Sequence, residues 1–335
     1  MPFDASPAPL IDGFGRPVTY LRLSVTDRCD LRCRYCMPER MTFLPKKDIL
    51  SLEEMARIAG LFIRHGVRKI RLTGGEPLVR KGVMSLVEAL GQHVDSGDLD
   101  ELCLTTNGTL LSRHAEGLFA AGVRRVNVSL DTLDAARFRY ITRLGDLDRV
   151  LEGLDAAQAA GLKIKLNAVA SRGAFEEEVD DLIRFAHERG MDLTLIEEMP
   201  LGDTGRDRDA NFLPLWQLRR DLDRRWTLDP LALSTGGPAR FVRVQETGGR
   251  LGFITPMSCN FCALCNRVRL SATGKLYPCM GHEGASDLRA ALIDGDAEVL
   301  RTIRQTIARK PERHDMVGQD GQALALSRHM SELGG

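Results

Sequence analysis

Three cysteines stand within eight residues, in the run Cys29-Asp30-Leu31-Arg32-Cys33-Arg34-Tyr35-Cys36. Their C-x-x-x-C-x-x-C spacing follows a β-branched, strand-like stretch from Leu23 to Thr26, so a single loop offers three thiols to one centre. Thiolates favour zinc or iron–sulfur clusters, and a structural zinc site takes four protein ligands where this loop supplies three. A cubane held by three cysteines keeps one iron open to a small molecule. The plainer readings are a zinc knuckle or three unrelated core residues, but core cysteines rarely crowd this way outside metal or redox sites. A second group comprises Cys259, Cys262, Cys265 and Cys279, the last following a Gly274-Lys275 turn. On spacing alone, four thiols there suit a closed tetrahedral zinc site as well as a second cluster. Cys103 lies inside Leu102-Cys103-Leu104 and reads as core.

Composition narrows the rest. A chain of 335 residues has apolar material for one large domain with an appendage, or for two domains. Lys plus Arg and Asp plus Glu both number 46, so no global field draws it to nucleic acid or an anionic membrane, and an anion site must be built locally. The start, Met1 to Pro7, lacks a basic and apolar leader, and no run approaches the ~20 apolar residues of a membrane span. The expectation is a cytoplasmic protein with no nucleic-acid or membrane partner. Seven of its eight cysteines fall in the two groups, which in a reducing compartment means metal rather than disulfides.

The elements that must position these groups alternate. A strand near Tyr20 to Val25 precedes the cysteine loop, and Ser51-Leu52-Glu53-Glu54 reads as a capping box opening a helix with Met55, Ile58, Ala59 and Phe62 on one face. Strands follow at 69–73, 102–105, 125–129, 163–170 and 193–197, with helices at 83–90, 115–121, 147–160 and 177–189 between them. Such alternation predicts a parallel sheet with right-handed crossovers. Six strands are too few for an eightfold barrel, which leaves an open, partial βα barrel. The polar, Gly-rich 202–209 segment reads as a loop. Short apolar runs at 241–244 and 251–254, a helix at 297–308 and a polar tail complete the chain.

The cysteine loop, with Tyr35 before its last Cys, resembles that of the radical S-adenosylmethionine (radical SAM) enzymes. The resemblance implies SAM chelated to the open iron. One electron would then split SAM into methionine and a 5'-deoxyadenosyl radical that takes hydrogen from substrate. The C-terminal wording, Cys262-Ala263-Leu264-Cys265-Asn266-Arg267-Val268-Arg269-Leu270, is similar to the GTP 3',8-cyclases, the A proteins of molybdenum-cofactor biosynthesis. That family implies an α/β fold: a partial (βα)6 radical SAM barrel over residues 1–200, with a smaller C-terminal region over 201–335 that binds an auxiliary cluster. It also implies two 4Fe-4S clusters, one on Cys29, Cys33 and Cys36 and one on Cys262, Cys265 and Cys279, with Cys259 a bystander.

Carried across position by position, the resemblance gives Tyr35, Gly75, Ser129 and Met199 as SAM contacts, and Arg22, Arg71, Thr105, Lys165, Arg267 and Arg269 as GTP contacts. It gives the terminal Gly334 and Gly335 as a catalytic tail. Residue chemistry agrees in part. Glycines in Gly74-Gly75-Glu76 permit close backbone approach, and the Glu76 carboxylate suits an ammonium. Basic residues inside apolar strands are costly unless an anion meets them, and Lys69 shares a strand face with Arg71. One departure is Thr194, where relatives often carry Arg five positions before the Met. The implied reaction is hydrogen abstraction from ribose C3', attack of the C3' radical on guanine C8, and reduction of the cyclised radical by one electron with uptake of a proton, giving (8S)-3',8-cyclo-7,8-dihydroguanosine 5'-triphosphate. It brings an external electron donor and a downstream cyclic pyranopterin synthase as partners, and leaves a homodimer open. The competing readings are another radical SAM enzyme with an auxiliary cluster, such as a peptide maturase, and a zinc-dependent binding protein.

Overall fold

The computed structural model describes residues 8–233, 236–259, 261–316 and 326–334. Six strands run parallel and pair in chain order: β1 (Tyr20–Ser24), β2 (Lys69–Thr73), β3 (Glu101–Thr106), β4 (Arg125–Ser129), β5 (Lys163–Ala170) and β6 (Asp192–Glu197). Crossovers between them carry α1 (Leu52–Arg64), α2 (Val83–Asp95), α3 (Leu111–Ala120), α4 (Ala135–Thr142), α5 (Leu147–Ala159) and α6 (Ala174–Glu188). The capping box is formed: Glu54 N–H donates to Ser51 Oγ at 3.1 Å, and Ser51 N–H to Glu54 Oε2 at 2.7 Å. The expected loop at 202–209 runs into a short α7 (Arg208–Asn211), followed by α8 (Leu215–Leu222).

The remaining strands do not form a sheet of their own. β7 (Leu228–Leu231), β8 (Arg240–Val244) and β9 (Arg250–Ile254) extend the sheet past β6, with β9 parallel to it. β10 (Arg267–Leu270), β11 (Lys275–Tyr277) and β12 (Ser286–Asp287) extend it past β1, with β10 parallel to β1. Among the described residues the result is one open sheet of twelve strands whose two edges are both built by the last third of the chain. After α9 (Leu288–Ile293) and α10 (Asp296–Ala308), the tail returns as α11 (Met330–Leu333). It is tied back by Gly202 N–H to Leu326 O at 2.8 Å and Leu326 N–H to Pro200 O at 2.9 Å.

Strand alternation sorts the side chains into two populations. Leu21, Leu23, Ile70, Leu72, Leu102, Leu104, Val126 and Val128 are buried outward against the helices. The intervening positions carry Arg22, Arg71, Thr105, Asn127 and Lys165 into the lumen, three of them cations in strands that would otherwise be continuous apolar runs. Register aligns the charges: Arg22 on β1 is directly opposite Arg71 on β2 and Arg269 on β10.

At the end of β6, fully buried Glu197 fastens the segment that leads into the second cysteine group. Its carboxylate accepts Leu215 N–H at 2.9 Å, Met257 N–H at 3.0 Å and Ser258 N–H at 3.0 Å, together with the Ser258 hydroxyl. Replacing Glu197 by Ala strands these buried donors, each costing about 1–3 kcal/mol when unpaired. We expect Glu197→Ala to lower the urea unfolding free energy by roughly 3 kcal/mol and to reduce iron loading on the C-terminal thiols before the N-terminal ones, read by iron analysis of anaerobically reconstituted protein.

Candidate active site

The cysteine loop after β1 has no regular structure of its own, and its neighbours hold it. Gly75 N–H donates to Thr26 O at 2.8 Å and Glu76 N–H to Arg28 O at 2.8 Å, laying the Gly-Gly turn on the loop. A Cβ on Gly75 would stand 2.4 Å from Arg28 O, so only glycine fits. Asp30 accepts Asn107 Nδ2 at 2.7 Å and the Thr109 hydroxyl at 2.5 Å. The end of α4, an element the sequence reading did not anticipate, accepts Arg32 N–H at Thr142 O (2.9 Å) and Arg34 N–H at Ile141 O (3.0 Å). Tyr35 donates its hydroxyl to Asp131 Oδ2 at 2.9 Å, and Asp131 Oδ1 accepts Val169 N–H at 2.8 Å.

Cys29, Cys33 and Cys36 line one cavity with Tyr35, Gly75, Ser129 and Met199. Cys262, Cys265 and Cys279 line a second with Arg22, Arg71, Lys165, Arg267 and Arg269. Asn167, Ile196 and Met199 border both, so the two spaces are contiguous across the sheet's inner face. Thr105 faces the first cavity rather than the cationic one, its hydroxyl buried without a partner. Cys259 is exposed and lines neither. No disulfide joins any of the eight cysteines. Among the described residues no group of three or more His, Cys, Asp or Glu converges as the ligands of one ion would. The thiols of each group line open space, and three soft sulfur donors at a cavity suit an iron–sulfur cluster there.

Burial pushes the N-terminal thiols up, Cys36 to about 12. Cys265 differs: burial pulls it upward, but Arg267 and Lys310 prevail and bring it down to about 7. On the cation wall, Arg22 is pushed down to about 10 by burial and by Arg71 and Arg267. Arg269 and Lys165 are pushed well down, again by burial first and then by neighbouring cations. Lys69 is instead ion-paired with Glu101 at 2.6 Å. Cys103 is buried in β3 as expected, and also accepts Arg71 Nε at 3.4 Å.

Thr194 is fully buried opposite Asn167 and Gly252, its hydroxyl unpartnered. The Phe241 ring lies over Gly252 and 5.8 Å from the Lys165 ammonium, filling space beside it. The tail enters from above. Arg269 Nη1 donates to Gly334 O at 2.7 Å, and Gly334 adopts φ 71° with its α-carbon against Thr73 and Gly74, where any Cβ would meet Thr73 Oγ1 at 2.0 Å. Gly335 lies outside the described residues. Sequence reasoning missed Asn127, whose amide is wholly buried and unpartnered at the cationic cavity, and also Asn107, Asp131, Glu197 and Lys310. Each is a single polar residue without a local pattern.

A radical SAM superfamily pattern matches residues 23–186, and one described as Molybdenum Cofactor Synthesis C matches residues 191–316. Solved structures share the fold. SuiB of Streptococcus suis bound to S-adenosylmethionine aligns with a TM-score of 0.60 at 18% identity, covering 86% of this chain and 66% of that one. Native anSMEcpe with bound AdoMet aligns at 0.61 and 15% identity, covering 88% and 81%. With three thiols on the loop after β1 of an open parallel βα sheet, the chain belongs to the radical SAM superfamily. Curated relatives named GTP 3',8-cyclase from Agrobacterium fabrum, Rhizobium meliloti and Brucella melitensis are 61%, 58% and 57% identical, covering 98%, 100% and 98% of this chain and 95%, 97% and 96% of theirs. The chain belongs to the GTP 3',8-cyclase family.

The Glu76 carboxylate, which on sequence grounds suits an ammonium, is engaged by donors of the protein itself. It is fully buried, accepting Leu78 N–H at 3.0 Å, the Thr106 hydroxyl at 2.8 Å and Asn107 N–H at 2.6 Å. Burial outweighs these bonds and pushes it up to about 7. A carboxyl raised from its usual 4.5 to about 7 in the folded state contributes stability below pH 4.5 that is lost as pH rises through 7. Glu76→Gln removes that titration but sets an amide against donors. In urea unfolding of the metal-free protein, the variant should be less stable by roughly 1–3 kcal/mol at low pH, with a flatter dependence between pH 4.5 and 7.

Proposed function

We propose that the two contiguous cavities are the halves of one active site, with SAM on the Cys29, Cys33 and Cys36 side and GTP spanning the cation wall toward Cys262, Cys265 and Cys279. The chain is a radical SAM lyase that converts GTP to (8S)-3',8-cyclo-7,8-dihydroguanosine 5'-triphosphate, the first step of molybdenum-cofactor biosynthesis, with two 4Fe-4S clusters and SAM as cofactors. The clusters and SAM supply the one-electron chemistry. The protein's own share is recognition, placement and exclusion of water.

The observation that carries the reading is the charge of the second cavity. Arg22, Arg71, Lys165 and Arg269 are all buried, and among the described residues none of them makes a salt bridge. Such a cluster in a chain of zero formal charge asks for a polyanion, and a triphosphate supplies one. Arginine forks bind phosphate oxygens in pairs, and Arg267 and Arg269 alternate on β10 directly after a cysteine of the second group. Asn127 and Asn167 offer unpartnered amide atoms to a base or ribose. Opposite them, Tyr35, Gly75, Ser129 and Met199 frame the SAM side, and Gly334 closes the junction with Arg269. In this reading residues 1–200 do the work of the SAM barrel and 201–335 that of the auxiliary-cluster region, Cys259 is not a ligand, and Gly335 continues Gly334. An external one-electron donor and a downstream cyclic pyranopterin synthase follow as partners, with a homodimer as the assembly to test.

Two outcomes check this. Cys33→Ala should abolish release of 5'-deoxyadenosine while leaving the C-terminal cluster in place, as judged by product chromatography and iron content; continued release contradicts the assignment of the N-terminal loop. Arg22→Met keeps the side chain's apolar stem and removes its charge. It should weaken GTP binding roughly tenfold to hundredfold in anaerobic calorimetry, the worth of one charge-assisted hydrogen bond of about 1.5–3 kcal/mol. Because it relieves repulsion from Arg71 and Arg269, the same variant should be as stable as the parent without nucleotide, or more so.

A further inference from the structure

Lys310 is 3% exposed, just beyond the end of α10, and no part of the reaction described above uses it. Its ammonium has three partners, and all belong to the cradle of the second cysteine group. It donates to Cys265 Sγ at 3.3 Å, to Arg267 O at 2.9 Å and to Pro278 O at 2.6 Å. Arg267 follows Cys265 by two residues and Pro278 immediately precedes Cys279, so one side chain joins the two ligand-bearing segments. No carboxylate pairs with it among the described residues; its negative partners are two carbonyl dipoles and a thiol. Burying an ammonium this deeply without an acid is costly, and the cost is met if the neighbouring sulfur carries negative charge.

We propose that Lys310 is a positioning residue for the C-terminal cluster that also sets its reduction potential, by placing a fixed positive charge and an N–H···S hydrogen bond on Cys265. The inference rests on the assignment of Cys262, Cys265 and Cys279 as ligands. Potentials of iron–sulfur centres follow net charge, exposure and hydrogen bonds to sulfur, and partners beyond the ligands are what tune them. A cation at this distance favours the reduced cluster, which carries one more negative charge, over the oxidised one. Of the other cations near this cluster, Arg16 donates to Cys262 O at 2.7 Å but is ion-paired with Asp12, while Arg267 and Arg269 line the cavity and would be partly neutralised by a bound triphosphate. Lys310 also touches that cavity, but its ammonium is committed to sulfur and backbone, so its charge on the cluster persists with nucleotide present.

The test is an EPR-monitored redox titration of full-length protein carrying both clusters, with SAM added to mark the N-terminal signal. Lys310→Met should shift the C-terminal cluster's reduced-to-oxidised ratio about tenfold toward oxidised at a given potential, equivalent to about 59 mV lower for a one-electron couple. Lys310→Gln, which keeps a neutral donor, should fall between Met and the parent. The N-terminal cluster should not move in either variant, which distinguishes a local charge from a general loosening of the fold. Unchanged potentials in both variants overturn the proposal. So does loss of the C-terminal iron from both with circular dichroism intact, because Lys310 would then be a brace and nothing more. If the parent chain binds only four irons, the ligand assignment itself fails, and this inference with it.

Discussion

Three arginines stand side by side across the sheet: Arg71, Arg22 and Arg269 occupy matching positions on β2, β1 and β10, and all three are buried. Like charges directly opposite one another on neighbouring strands repel, and their desolvation adds to the cost. Tyr20 lies within 5.9 Å of Arg22 and 5.6 Å of Arg71, where its ring face offsets a small part of this. The row is tolerable in the empty protein because the outward face of the same strands is uniformly aliphatic and well packed. It becomes favourable when several negative charges enter together. The fold therefore stores, in its lumen, a demand for a polyanion.

The rest of the architecture serves that demand. One of the three arginines comes from the far end of the chain, so the row is complete only once β10 has docked beside β1. β9 docks at the opposite edge, and Glu197 pins the segment between them, carrying the second cysteine group to the mouth of the lumen. The tail uses the same charge: Arg269 holds the Gly334 carbonyl, and Gly334 fits between Thr73 and Gly74 only because it has no side chain. Around the returning tail, Leu201, Met316 and Leu326 pack with Met199, Met257, Met280 and Met330. Methionine's flexible, polarizable side chain lets this small cluster fill the irregular space beside the tail.

What could be read from the sequence was whatever repeats or clusters locally. The βα alternation marked the six strands β1 to β6, because outward Leu, Ile and Val at every second position is a strong signal. Both cysteine groups were legible because three thiols in one loop have few structural explanations. α4 was not, since only Phe138 and Thr142 of its eight residues are buried and its periodicity is faint. α8 did carry a pattern, with Leu215, Leu218 and Leu222 on one face, but it follows a Gly-rich stretch that reads as loop. The joining of the C-terminal strands to both sheet edges depends on pairings more than 50 residues apart at one edge and more than 240 at the other, which no local pattern encodes. For the same reason Asn107, Asp131, Glu197 and Lys310 were invisible: each acts through partners distant in sequence. Glu76 was read as suiting an ammonium, and the buried donors that engage its carboxylate were not foreseen.

The claim that the lumen is built for a polyanion is tested most directly by the thermal stability of anaerobic, cluster-loaded protein with guanosine, GMP, GDP and GTP at one fixed concentration and ionic strength. A ligand at fixed concentration stabilises the folded state by an amount that grows with the logarithm of its affinity, so the melting temperature reports each phosphate added. The structure predicts a stepwise rise from guanosine to GTP, diminished in Arg22→Met and steeper at low salt. Equal stabilisation by guanosine and GTP, or none by either, would contradict it.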